Sequence, residues 1–187
     1  MEFVLLNDES KLSFVINTIP RDAIVSFDTE TTDIDALKAQ IVGFSFAYEE
    51  NKAYYVPISH SYLGVPDQIS KDAATQAIVQ LNRHKLVLQN FKYDYEIIRH
   101  NFDIELKLYA DTMILSWLLD TNEKVGLDYQ VDKYFSHKMI AFKDVVKKGE
   151  NFSSIDVYKA CDYAAEDALM TLKLFNKQLE VFKEKEC

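Results

Sequence analysis

The sequence predicts an α/β fold, a mixed central β-sheet of about five or six strands flanked by α-helices. Three observations carry this. Early in the chain, three runs rich in β-branched and aromatic residues follow one another (24–28, 41–48 and 53–58). Downstream, segments of helical periodicity alternate with short apolar runs, the pattern of a sheet with helices on both sides. The composition, 48% hydrophobic and 27% charged with only 4 Gly and 3 Pro, excludes collagen-like, low-complexity and disordered classes. A length of 187 residues suits a single domain over 1–187 with one well-filled core.

Residues 3–6 read as a short edge strand, after which Asp8 or Ser10 can cap a short helix through Ile16 that Pro20 ends. Ile24, Val25 and Phe27 give a buried strand over 24–28. The runs 41–48 and 53–58 make two more, joined as a hairpin across Glu49-Glu50-Asn51-Lys52. Gly64 and Pro66 mark 60–69 as a surface loop. Ser70 then caps a helix to about Arg83, with Ala73, Ala77, Ile78 and Leu81 on one side. The apolar run 86–88 reads as a buried parallel strand, followed by a helix over 91–100. Residues 104–109 alternate and predict another short strand, and Asp111 caps a helix carrying Met113, Ile114, Trp117 and Leu118. Gly126 interrupts the chain before a helix over 127–135. The stretch 136–153 is the least regular and holds a locally basic patch, Lys143, Lys147 and Lys148 with Gly149. Ser154 opens a final long helix to about Lys183.

A net charge of -9 argues against a broad basic surface that collects polyanions, and so against a DNA-coating or architectural role. An acidic protein acting on nucleic acid needs metal ions to neutralise phosphate locally, and a partner or attached domain for most of its affinity. Cys161 and Cys187 form neither a zinc site nor a disulfide framework, which suits a reducing cytoplasm. The N-terminus is too acidic and too short in its apolar run for a signal peptide, and no stretch approaches the roughly 18 apolar residues of a membrane span. A soluble cytoplasmic protein with no membrane partner is expected.

Asp28 and Glu30 lie two apart on a strand and so point to one face. Like charges at the end of an apolar run repel and lose hydration unless compensated, and Mg²⁺ or Mn²⁺ would compensate them, since hard divalent ions prefer carboxylate oxygens. A strand ending in a polar turn is the plainer reading of Asp28-Thr29-Glu30 taken alone. A second constellation, Gln89-Asn90-Phe91-Lys92-Tyr93-Asp94, places Asn90 and Asp94 four apart where a strand hands over to a helix. Capping does not explain Asp94, which sits one turn inside, although a single helical Asp is ordinarily just solvated. The third is Tyr163-Ala164-Ala165-Glu166-Asp167, in which Tyr163 and Asp167 share a stripe and Ala164, Ala165 and Ala168 permit close packing on a sheet. Glu166 is rotated by about 100° from Asp167 and reads as a flanking, outward-facing charge. An alanine-rich amphipathic helix with its acids in water competes for that motif alone. Together, four acids from three segments can converge at the carboxyl edge of a sheet. Such a cluster could hold two divalent cations, the arrangement that stabilises attacking and leaving oxygens in phosphodiester hydrolysis.

These three motifs resemble those of the DEDD exonuclease superfamily in its tyrosine version, and more closely the 3′–5′ proofreading exonuclease domain of bacterial DNA polymerase I. Ala110-Asp111-Thr112-Met113 and the stretch from His137-Lys138 through Phe142 to Lys148-Gly149 share the resemblance, which covers roughly 24–179. It implies a ribonuclease H-like fold and a two-metal exonuclease that removes nucleoside 5′-monophosphates from the 3′ end of single-stranded or frayed DNA. The cofactors implied are two Mg²⁺, with Mn²⁺ substituting, and the implied partner is a polymerase domain in the same parent chain. By the same resemblance, Asp28, Glu30 and Asp167 hold the first metal, Asp28 bridges to the second, and Asp94 helps largely through water. Tyr163 orients the attacking water, Thr29 offers backbone contacts to the terminal nucleotide, Ile34 wedges against its base, and Asn90 and Phe142 contact the strand. The third motif has no histidine, which disfavours the histidine-dependent branch, and Ile34 stands where leucine is common. Two other readings stay open: a ribonuclease D-like exoribonuclease, and a non-catalytic scaffold domain of a polymerase.

Overall fold

A computed structural model describes residues 1–186, so Cys187 and its expected lack of a disulfide lie outside the described residues. Six strands form one mixed sheet: β1 (Glu2–Leu5), β2 (Ile24–Thr31), β3 (Ile41–Glu49), β4 (Lys52–Pro57), β5 (Lys85–Leu88) and β6 (Leu108–Asp111), in spatial order β1-β4-β3-β2-β5-β6. β3 runs antiparallel to both its neighbours, and the other pairings are parallel. The helices are α1 (Glu9–Thr18), α2 (Lys71–Leu81), α3 (Phe91–Phe102), α4 (Thr112–Leu119), α5 (Leu127–Phe135), α6 (Phe142–Val145) and α7 (Val157–Glu186). Among the described residues no helix is long and apolar enough to cross a membrane.

Strand alternation divides the core. Val25 and Phe27 of β2 join Phe44, Phe46 and Val56 in a cluster closed by Leu12 and Ile16 of α1, Ile78 and Leu81 of α2, and Ile97 and Ile98 of α3. On the opposite face Ala47 and Ala53 meet Ala165, Ala168 and Leu169 of α7. Small residues on both sides let the helix backbone come close, and the Ser26 hydroxyl donates to the Ala168 carbonyl at 2.7 Å. That bond fixes the register of α7 on β2. Ser26 is two residues before Asp28, and Ala168 is one after Asp167.

Gly43 of β3 pairs with Glu30 of β2, and a side chain at Gly43 would collide with the Tyr55 hydroxyl. Tyr55 Oη lies 2.7 Å from His60 Nε2, and His60 Nδ1 lies 3.0 Å from the Ile155 carbonyl. A carbonyl only accepts, so Nδ1 carries the proton and Tyr55 donates to Nε2. Burial lowers the His60 pKa to about 4, which keeps the ring neutral.

The expected caps at Asp8, Ser70 and Asp111 are present. Other details differ. The last strand lies at 108–111 and not 104–109, because parallel pairing sets Leu88 opposite Asp111. Leu106 is buried but lies outside the ladder. The final helix begins at Val157 and not at Ser154: Ser154 closes a 3₁₀ turn (Phe152–Ser154), and Asp156 Oδ1 accepts from the Tyr158 and Lys159 N–H groups. β2 continues to Thr31, so Asp28 and Glu30 are held within the ladder.

Candidate active site

The carboxyl ends of β2 and β5 open into a cleft of about 700 Å³, lined by all nine residues singled out in the sequence. Asp28 and Glu30 share the strand face with Ser26 and therefore look toward α7, which presents Tyr163 and Asp167 one turn apart. One carboxylate oxygen from each of Asp28, Glu30 and Asp167 lies within 4.8 Å of the others. Glu30 is 7% exposed, and among the described residues its Oε1 has no hydrogen-bond partner. The donors are hard oxygens and one is buried unsatisfied, so the residues present fit a hard divalent cation.

Asp94 enters from the other face of the sheet and stands outside that group of three. It is 2% exposed, and its Oδ1 accepts from the Thr29 N–H at 3.1 Å and the Thr29 hydroxyl at 2.6 Å. Both Thr29 donors thus serve Asp94. Asn90 lines the cleft from the N-cap of α3 with a left-handed backbone (φ 65°) and no capping bond from its side chain. Asp111 holds that turn: its carboxylate accepts from the N–H groups of Asn90 (3.1 Å), Phe91 (2.9 Å) and Met113 (2.8 Å). The helix cap read from the sequence is therefore also the brace of the second motif.

Burial lifts the Asp28 pKa to about 7. Glu30 is pushed well up by burial and by Asp28, Asp167 and Asp94, and Asp167 by burial, Asp28 and Glu166. Asp94 also rises through burial and Asp28, against the opposing Thr29 bonds. A carboxyl whose pKa is higher folded than unfolded binds extra protons in the folded chain between the two values, so stability falls as pH rises through that window. For Asp28 the window runs from 3.8 to about 7. Thermal melts of metal-free protein are expected to show a midpoint at pH 5.5 higher by about 2 to 4 °C than at pH 8, the response to ~1 kcal/mol in a domain this size. A divalent cation added at pH 8 should recover the difference.

The family model described as 3′–5′ exonuclease matches residues 3–181. The chain belongs to this family. A DNA polymerase I of Borreliella burgdorferi is 36% identical over 89% of the chain and 18% of that protein. Another, from Pseudomonas aeruginosa, is 39% identical over 93% of the chain and 20% of that protein. The chain thus spans about a fifth of the length of the curated relatives it matches. Among solved structures, Escherichia coli RNase D superposes with a TM-score of 0.70 at 15% identity, over 98% of this chain and 46% of that one, a likeness of fold. The ribonuclease H-like architecture expected from the sequence is the one found.

In this exonuclease domain the walls of the cleft are held by residues outside the expected site set. Tyr93 donates to the Asp33 carbonyl and pairs with the Thr31 hydroxyl, tying the 31–35 loop to α3. That loop carries Ile34, 94% exposed at the rim. The Phe142 ring, also lining the cleft, packs edge-on against Tyr163 with centroids 6.1 Å apart. Glu166 corrects an expectation. It is buried, and its carboxylate accepts from the Ile140 N–H at 2.7 Å and pairs with His137 Nε2 at 2.8 Å. The face that a bare helix would offer to water is covered by the 137–141 segment, so Glu166 anchors the root of the segment that carries Phe142. The match of His137-Lys138 to the family was the one sequence signal that this segment mattered.

Proposed function

We propose that the cleft is the active site of a metal-dependent 3′-to-5′ exonuclease that shortens single-stranded or frayed DNA and releases nucleoside 5′-monophosphates. In the parent chain it would be the proofreading domain of a family A DNA polymerase in the bacterial cytoplasm. The observation that carries this reading is the convergence of Asp28, Glu30 and Asp167 on one point beside Tyr163. DNA is favoured over RNA because the relatives at 36% and 39% identity are DNA polymerases I.

Asp28, Glu30 and Asp167 would hold one Mg²⁺ or Mn²⁺, and Asp28 with Asp94 the second. Bound divalent ions supply positive charge that lowers the pKa of the attacking water and stabilises the developing charge on phosphate. Tyr163 holds its proton: burial and the charges of Asp167, Glu30 and Asp28 push its pKa well up. It therefore acts as a hydrogen-bond partner that orients the water and not as the base. Ile34 and Phe142, which both line the cleft, would contact the terminal base and the strand, and apolar and aromatic contacts accept any base. Asn90 has its side chain free for the strand.

Incubating a 5′-labelled single strand with the protein and Mg²⁺ tests the reading. A descending ladder with released mononucleotides, abolished by EDTA and restored by Mn²⁺, is expected. A parallel RNA strand should be cut more slowly, and preferential RNA cleavage would transfer the assignment to a ribonuclease D-like activity. Tyr163→Phe should lower kcat by about tenfold to thirtyfold, the worth of one orienting hydrogen bond. An unchanged kcat would remove the phenol from the reaction.

A further inference from the structure

Every charged residue lining the cleft is acidic: Asp28, Glu30, Asp33, Asp94, Glu150 and Asp167. Metal ions answer for the scissile phosphate in the reading above, on which this inference rests. The phosphates farther along the strand would still meet a negative rim in a chain of net charge -9. Cations are needed there, and Lys38, on the Ile34 side, is already paired with Asp35 at 2.9 Å.

The 143–149 segment supplies them. Phe142 before it and Glu150, Asn151 and Phe152 after it all line the cleft, so both ends of the segment stand at the rim. Buried Val146 and Phe152 pin it, and Glu166 pins the Ile140 N–H ahead of it. Lys143, Lys147 and Lys148 are exposed, and among the described residues the ion pairs engage Lys38, Lys52, Arg99, Lys133 and Lys177 but none of these three. They outnumber the two acids of the same stretch, Asp144 and Glu150. We propose that Lys143, Lys147 and Lys148 bind the backbone phosphates of the single strand on the 5′ side of the nucleotide being removed. This gives the nuclease its hold on strands longer than a dinucleotide, independent of sequence.

The test uses the triple Lys→Gln variant at these positions beside a control that loses Arg83, Lys85 and Lys107, exposed charges at the opposite end of the sheet. Two quantities are read: the salt dependence of binding to a nuclease-resistant phosphorothioate strand, and the ratio of kcat/KM for a ten-nucleotide strand to that for a dinucleotide. Single strands lose affinity with salt at a slope of about 0.7 per neutralised phosphate, so the rim variant should lose about 2 from its slope. The ratio should fall about tenfold. An unchanged slope and ratio, or losses matched by the control, overturn the proposal. If the wild-type protein cuts neither substrate, the nuclease reading falls, and the binding slope still decides the lysines.

Discussion

Asp28→Ala and Asp167→Ala should each slow nucleotide release by at least about 10³-fold while leaving the fold intact. Each removes a donor from a group of three oxygens within 4.8 Å, and the cation charge they would hold is worth several kcal/mol in the transition state, with ~1.4 kcal/mol per tenfold in rate. Folding should not suffer. Asp28 raises the pKa of Asp167, and both raise that of Glu30, so deleting either relieves repulsion in the metal-free protein. At pH 8 without metal the variants should melt at or above the wild-type temperature. Near-normal turnover by either variant would defeat the assignment of the cleft.

The largest expected loss of stability is at a residue that never touches substrate. Asp111→Ala strips the acceptor from three N–H groups, those of Asn90, Phe91 and Met113, at a site 6% exposed. Leaving three part-buried donors unpaired costs up to about 1 to 3 kcal/mol each, less where water enters, so chemical denaturation should report a loss of about 3 kcal/mol. Activity should fall as well, because the left-handed turn at Asn90 positions the first turn of α3 and hence Asp94. Asp111→Asn keeps one acceptor oxygen and should lie between. A loss below about 1 kcal/mol would show that the carboxylate is not the brace described.

What the sequence revealed of the site was what local periodicity encodes. The two-residue spacing of Asp28 and Glu30 fixed their common face. The four-residue spacing of Tyr163 and Asp167 set them on one helical stripe, and the alanines beside them announced close packing against a sheet. What it concealed depends on partners distant in the chain. Glu166 looked solvent-facing because helical geometry gives the direction of a side chain and not what covers it, and the cover comes from 137–141. Asp111 looked like a helix cap alone because its other bonds reach back to Asn90 and Phe91, across a parallel strand pair. The strand displaced from 104–109 to 108–111 follows the same rule: alternation shows that a segment can be extended, and pairing with β5 decides which residues are in the ladder. Ile34 and Phe142 both line the cleft, but the residues that tie down the segments carrying them, Tyr93 and Glu166, emerge only with the fold.

In this reading the acidic cluster of Asp28, Glu30 and Asp167 is a cation site. Calorimetric titration of the metal-stripped protein with Mn²⁺ near pH 6.5, repeated in two buffers of different ionisation enthalpy, tests it most directly. Carboxyls lifted toward 7, as Asp28 is, must shed protons when a cation binds. Saturable binding with proton release is expected, both lost in Asp28→Ala and Asp167→Ala. No binding, or binding that survives both substitutions, would contradict it.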